Sequence, residues 1–275
     1  MIEIVAPGPL ATVQDLGRSG YAALGVPRSG AFDRAALRLA NRLVGNVETA
    51  AAIEVTLGGL VVRLADAATV AMTGALCRGN LDWGAAVSVP AGTTLRLDPP
   101  AAGVRSYLAV RGGIDVDAVL GSRSTDTLSG LGPSALRAGD VLPVGRAEGE
   151  VSGTTVGPNA TPPALSVRFG PRDDWFTPAA QSRLVGAEWV VRPDSDRVGL
   201  RLDGPPLERS RTDELPSEAV LPGAVQVPTD GRPIVFGPDA PVTGGYPVIA
   251  VLTDVDHAAQ LRPGDVVRFS RRTGA

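Results

Sequence analysis

Lysine is absent from the 275 residues, and all 26 basic side chains are arginine. A side-chain Schiff base and covalently attached biotin are both excluded, since each requires a lysine amine. A Walker-type phosphate loop is excluded too, because its Gly-Lys-Ser/Thr core needs the same amine. Cysteine and histidine are nearly as scarce, Cys77 and His257 being the single example of each. One cysteine cannot close a disulfide within the chain, and the pair cannot furnish a Cys/His zinc site. A Ser–His–Asp triad would have to recruit His257 from the polar stretch Asp254-Val-Asp-His-Ala-Ala-Gln260. That stretch reads as a solvated turn or short helix, not as the seat of a catalytic base. What remains for chemistry is carboxylates, hydroxyls, arginines and backbone N–H groups.

Long apolar runs are also missing, and none approaches the roughly 18 residues of a membrane-spanning helix. The opening Met1-Ile-Glu-Ile-Val-Ala-Pro7 lacks the basic and long apolar regions of a signal peptide. A cytoplasmic protein is expected. A net charge of −3 gives no reason to expect a nucleic-acid or membrane partner. No metal site is expected.

The sequence does contain many short strand-like runs, punctuated by 34 Gly and 24 Pro. Ile53–Leu57 alternates apolar and polar residues, as a half-buried strand does. Runs at 60–64, 69–73, 94–97 and 104–110 continue the style, and so do 165–169, 188–191, 224–227, 233–236 and 248–252. The expectation is a mainly β fold of barrels or sandwiches with a few short helices. One helix is clear over 34–44, with Asp33 as N-cap and Ala36, Leu39, Ala40 and Leu43 on one face. A second is expected at 178–184 behind Thr177, with Pro178 at its first position. The stretch around 151–163 has no apolar periodicity and reads as a linker or long loop between an N-terminal part, 1–150, and a C-terminal part, 164–275. Leu136-Arg-Ala-Gly-Asp-Val141 and Leu261-Arg-Pro-Gly-Asp-Val266 echo one another near the ends of these parts, which supports two related β-subdomains.

Four segments carry more Gly and polar residues than a core needs. The first, 12–20 continuing to 25–33, sets Gln14, Asp15, Arg18, Ser29 and Asp33 on a loop entering the helix. Free N–H groups there, with Arg18 or Arg28, would suit a carboxylate or phosphate, whereas capping alone also selects Ser and Asp. The second, 121–127, offers Ser122, Arg123, Ser124 and Thr125 as an anion-binding loop or a solvated turn. The third places Asp196 and Arg197 at the mouth of a strand, where such a neighbour pair usually stabilises the fold. The fourth runs from 217 to 247. Glu218, Gln226, Asp230, Asp239 and Tyr246 there would line one pocket, and Gly244-Gly245 would let backbone approach a ligand.

Taken in order, seven segments resemble one family: Thr-Val-Gln-Asp-Leu-Gly-Arg at 12–18, Gly-Val-Pro-Arg-Ser-Gly-Ala-Phe-Asp at 25–33, Ala-Asn-Arg-Leu-Val-Gly-Asn at 40–46, Gly-Ser-Arg-Ser-Thr-Asp at 121–126, Ser-Asp-Arg-Val-Gly-Leu-Arg-Leu at 195–202, Gln-Val-Pro-Thr-Asp-Gly-Arg-Pro-Ile at 226–234 and Thr-Gly-Gly-Tyr-Pro at 243–247. It is the biotin-dependent-carboxyltransferase-like family, which takes in allophanate hydrolase subunit 2 and the C subunit of 5-oxoprolinases. The resemblance runs from about the first strand to the last. It implies two cyclophilin-like β-barrel subdomains and a companion B subunit related to allophanate hydrolase subunit 1.

Three roles occur in the family: activation of the 5-oxoproline lactam together with B and A subunits, carboxyl transfer from carboxybiotin to urea, and regulatory antagonism of a B-like kinase inhibitor. The resemblance favours the first, which implies ATP with Mg in the complex and a small lactam substrate. Asp15, Glu218, Asp230 and Asp239 are then the expected catalytic carboxylates. Gln14, Arg18, Ser29, Arg123, Ser124, Thr125, Arg197, Gln226, Gly244, Gly245 and Tyr246 are the expected substrate- and anion-binding groups. The chain departs from the pattern at Val248, where the family often has Lys or Arg, and at Gly170-Pro-Arg-Asp-Asp-Trp-Phe176, which carries extra charge.

Overall fold

The computed structural model describes residues 1–157, 164–211 and 213–272. The chain divides into two compact units, Met1–Ser19 with Ser29–Ala160, and Gly20–Arg28 with Thr161–Ala275. The segment Gly20–Arg28 thus leaves the first unit and returns to it at Ser29. Residues 151–157 of the expected linker carry no helix or strand, and 158–163 lie outside the described residues.

The first unit contains β1 (Ile2–Pro7), β2 (Leu10–Gln14), α1 (Arg34–Leu43), β3 (Ala52–Thr56) and β4 (Leu60–Leu64). It continues with β5 (Ala68–Gly74), β6 (Ala86–Val89), β7 (Thr94–Leu97), β8 (Arg105–Val110) and β9 (Val141–Leu142). These build a four-stranded sheet, β7-β4-β1-β9, and a five-stranded one, β2-β3-β8-β5-β6. Consecutive strands β1 and β2, like β3 and β4, lie in different sheets, so the chain turns a corner at each junction. Gly8 (φ 71°) stands at one corner and Gly58 (φ 69°) at the other, and a Cβ on Gly8 would sit 2.2 Å from Gly58 O. Only glycines let these corners meet.

Alternate residues of both sheets close one core: Ile2 and Ile4, Val13, Ile53 and Val55, Val62, Met72, Leu95 and Leu97, Leu108 and Val110. The opposite face of the five-stranded sheet presents Ala52, Ala71, Tyr107 and Ala109 to Leu37, Ala40 and Leu43 of α1. Alanines on three strands let the helix lie close against the sheet. Asp33 caps α1 by accepting from Ala36 N at 2.8 Å.

The second unit holds β10 (Leu165–Phe169), α2 (Pro178–Gly186), β11 (Trp189–Val191), β12 (Gly199–Asp203) and β13 (Glu218–Ala219). It ends with β14 (Ala224–Gln226), β15 (Ile234–Phe236), β16 (Thr243–Gly244), β17 (Val248–Leu252), β18 (Val266–Val267) and β19 (Phe269–Arg271). Eight of these strands form one sheet, β18-β11-β12-β15-β14-β17-β10-β19, and β13 pairs with β16 beside it. The two outermost strands are separated in sequence by Arg268 alone, so the sheet curls until its edges share one stretch of chain. The result is a nearly closed barrel. The mainly β fold with few short helices and two barrel-like subdomains is the one the resemblance implies.

The echoed segments repeat bond for bond. Asp140 Oδ2 accepts from Arg137 N and Asp265 Oδ2 from Arg262 N, each at 2.7 Å. Gly139 N donates to Ile4 O and Gly264 N to Val191 O, each at 2.8 Å. Each turn then feeds a two-residue strand, β9 or β18. Both expected helices form, the second running to Gly186 behind a Thr177 cap. Gln14, read as part of a loop, instead ends β2. Its amide is buried and donates to Thr12 Oγ1 and Thr125 O, which lets a polar residue occupy a strand interior.

Candidate functional site

Strand β2 delivers Asp15 to the centre of the first unit. Its Oδ1 accepts from Gly17 N at 2.7 Å, Ser122 Oγ at 2.7 Å and Ser124 Oγ at 2.5 Å. Its Oδ2 accepts from Arg123 N at 2.7 Å. The Ser-rich loop is therefore an anion-binding loop, as its composition suggested, but the anion it holds is the carboxylate of Asp15. Both Asp15 oxygens are engaged by neutral donors, so this group knits residues 15–17 to 122–124. Asp126 does the same one turn later, accepting from Leu128 N, Ser129 N and Ser129 Oγ.

The peptide groups of Ser124 and Thr125 gather three of the expected binding residues. Arg18 Nη2 donates to Ser124 O, while Gln14 Nε2 (2.9 Å) and Ser29 Oγ (3.1 Å) both donate to Thr125 O. Gly132 makes room, since a Cβ there would lie 3.0 Å from Arg18 Nη2. Three buried atoms around this peptide have no hydrogen-bond partner among the described residues: Gln14 Oε1, Arg18 Nη1 and Thr125 Oγ1. Arg123 turns outward instead, to Val116 O and the exposed Asp115.

N–H groups read as free at the start of α1 are in part engaged by protein side chains. Phe32 N donates to Glu54 Oε2 at 3.0 Å, Asp33 N to Tyr107 Oη at 2.8 Å, and Ala36 N to Asp33. Three of the N–H groups there are engaged within the protein. Tyr107 in turn donates to Glu54 Oε2 at 2.6 Å, and Arg105 lies 3.6 Å from Glu54 Oε1 and over the Phe32 ring. Burial first, then the Glu54 and Asp33 carboxylates, push the Tyr107 hydroxyl well above the ordinary tyrosine pKa. Sequence reading missed Glu54, Arg105 and Tyr107, because each stands at an ordinary alternating position of a strand.

In the second unit Arg197 does not pair with its neighbour Asp196, which caps its own turn through Val198 N and Gly199 N. Its guanidinium instead forks onto Asp239, Nε to Oδ2 and Nη2 to Oδ1 at 2.9 Å each, with both side chains fully buried. Asp230 is exposed and accepts from Arg232 N at 3.1 Å, closing the hairpin turn. Asp239 is engaged by Arg197, and Asp230 by the N–H of its own turn.

Glu218, Gln226, Gly244, Gly245 and Tyr246 do converge. β13 pairs Glu218 with Gly244, and Gln226 Nε2 donates to Tyr246 O at 3.0 Å. A Cβ on Gly244 would come within 2.6 Å of Gln226 Nε2, so a larger residue there would have to displace the Gln226 amide. Arg172, from the segment that departs from the family pattern, grips both oxygens of Glu218. That pairing holds the Glu218 carboxyl below the usual carboxylate range. Gly245 and Tyr246 are exposed, so the cluster is open to a small ligand. His257 precedes a single helical turn, 3.6 Å from Asp254.

Comparison with known proteins supplies the wider context. Residues 24–271 match the family model described as carboxyltransferase domain, subdomain A and B. The C subunit of the 5-oxoprolinase of Escherichia coli is 41% identical over 98% of this chain and 90% of its own length. A urea amidolyase of Lachancea kluyveri is 35% identical over 97% of this chain, which spans only 17% of that protein. The crystal structure of the K. lactis urea amidolyase aligns with a TM-score of 0.89 at 30% identity, over 99% of this chain and 19% of that one.

Proposed function

The chain belongs to the family of the carboxyltransferase domain, subdomains A and B, and from that premise we propose that it is the C subunit of an ATP-dependent 5-oxoprolinase, a hydrolase opening the 5-oxoproline lactam to glutamate. The observation that carries this reading is 41% identity sustained over nearly the full length of both proteins. The urea amidolyase matches this chain equally far but shares only 17% of its own length. The B and A subunits are the partners, activity requires them, and the cytoplasm is the compartment.

The chain's own part is to bind and orient the lactam. The exposed ring of Tyr246 offers a flat apolar surface, and the Gly244-Gly245 backbone and the Gln226 amide line its base. Glu218, kept ionised by Arg172, is the group that accepts a hydrogen bond from the lactam N–H. In the first unit, Asp15 positions the loop at 122–124. Arg18 contributes a buried positive charge that no carboxylate neutralises among the described residues.

No three Asp, Glu, His or Cys side chains gather into a metal-holding group among the described residues, and no lysine stands ready for a phosphate. In the proposed complex ATP and Mg act at the lactam, as the resemblance implies. Carboxyl transfer to urea is the second reading, favoured by the urea amidolyase similarity in sequence and fold.

The test is ATP hydrolysis by the chain co-purified with its B and A partners, with and without 5-oxoproline. Stimulation by 5-oxoproline that vanishes when this chain is omitted is the expected result. An intact complex with no stimulation would overturn the reading, and carboxylation of urea in its place would establish the second.

A further inference from the structure

Arg209 lies outside every motif that the sequence singled out, and its surroundings do not neutralise its charge. It is half-buried, bridged to Phe176, with Nη2 donating to Val227 O at 2.6 Å. Its Nε is shut off from solvent and has no hydrogen-bond partner, and no carboxylate pairs with it among the described residues. Other arginines of the same unit behave differently: Arg172 grips Glu218, Arg197 grips Asp239 and Arg211 reaches Asp174. Burial pulls the Arg209 guanidinium below its ordinary pKa, with only Tyr246 opposing. The fold thus partly desolvates this cation and supplies no carboxylate to it among the described residues, which leaves the position open to an anion from outside.

The position of this cation is specific. Its guanidinium carbon lies 5.6 Å from the centroid of the Tyr246 ring. Val227, which accepts its hydrogen bond, donates its own N–H to Pro247 O at 3.0 Å, and the preceding Gln226 holds Tyr246 O. Arg209, Gln226 and Tyr246 are therefore gathered around one turn, 243–247, whose Gly245 and Tyr246 are open to solvent. Arg172, the other arginine near this turn, is already matched by Glu218, so the site offers one uncompensated positive charge. One planar guanidinium of single charge beside an aromatic ring suits the carboxylate of a small ring ligand.

We propose that Arg209, backed by Tyr246, anchors the carboxylate of a small planar ligand at this turn. Resting on the oxoprolinase reading, the ligand is 5-oxoproline and the group is its own carboxylate. The anchor would then separate a lactam acid from urea, which has no carboxylate to offer. Glu218 and Gly244 pair on the same two-stranded ribbon, next to Gly245 and Tyr246.

The experiment is calorimetric titration of the assembled complex with 5-oxoproline, 2-pyrrolidone (the same lactam without the carboxylate) and benzoate. Wild type is compared with Arg209→Gln and Arg209→Lys. We expect 5-oxoproline to bind at least 10-fold more weakly to R209Q, with partial recovery in R209K and 2-pyrrolidone indifferent to both. Equal 5-oxoproline binding by wild type and R209Q overturns the anchor and leaves the oxoprolinase reading standing. Benzoate binding lost in R209Q, with no 5-oxoproline binding by wild type, upholds the anchor and overturns that reading. Absence of binding by any carboxylate overturns the anchor. Should R209Q fail to fold, phenylglyoxal labelling of wild type decides: bound carboxylate must slow modification of Arg209 at least several-fold, and unchanged labelling counts against the proposal.

Discussion

Tyr107 shows how much a single side chain organises. Its hydroxyl donates to Glu54 and accepts from Asp33 N, fastening the entry to α1 onto the middle of the five-stranded sheet. Tyr107→Phe removes the hydroxyl that Asp33 N donates to and that donates to Glu54, and should cost about 1–3 kcal/mol in urea unfolding. The pH dependence has a definite sign. The folded protein holds this proton well above the ordinary value of 10.0. Its contribution is therefore fully present below about pH 10 and is lost as pH rises toward the folded pKa. Denaturation midpoints followed from pH 8 to 11 should fall more steeply for wild type than for Y107F; identical slopes would contradict the assignment. None of this was legible in Arg105-Ser-Tyr-Leu-Ala-Val110, where Tyr107 reads as one more strand aromatic. Its partner Glu54 is likewise an ordinary polar position in an alternating run, until the fold buries it.

Among the elements, α1 and the sheet beneath it are the most tightly matched. Large residues of β5 and β8 point into the core while Ala71 and Ala109 face the helix, so one strand serves two layers. Replacing Ala71 with Leu should destabilise the protein by about 1–3 kcal/mol through overpacking, measured as a shift in urea midpoint. A neutral result would mean that the helix moves off the sheet freely. The helices were legible from caps and periodicity: Asp33 and Thr177 cap where their positions suggested. Most central strands were legible too. β1, β2 and β6 were not, because their runs are short, broken by proline and glycine or weakly alternating. Two-residue strands such as β13 and β16 exist only because a partner strand lies beside them.

Across the full chain, two units each enclose a separate core and are bounded by the same Arg-x-Gly-Asp turn. Central strands have neighbours on both sides and edge strands on one, which sets a ranking for local opening. Amide hydrogen exchange should be slowest in β3 and β8 of the first unit and in β14 and β17 of the second. It should be fastest in β6 and β7. Equal protection of β6 and β8 would mean that β6 is covered in a way its edge position does not explain. Among the described residues no helix is long and apolar enough to cross a membrane.

Fold class, the two capped helices, the paired Gly-Asp turns and the chemical inventory from which lysine is missing all follow from the order of amino acids alone. These are local matters of period, capping and turn geometry, or of composition, and each is readable within a few neighbouring residues. Which carboxylate meets which arginine was set only when the chain folded. Asp15 is held by a loop 107 to 109 residues away, Arg197 by Asp239 rather than Asp196, and Glu218 by Arg172. Folding also left Arg209 without a counter-charge among the described residues. Partner choice for a buried charge follows from distance and desolvation in the folded chain, and neither quantity is encoded in adjacency along the sequence.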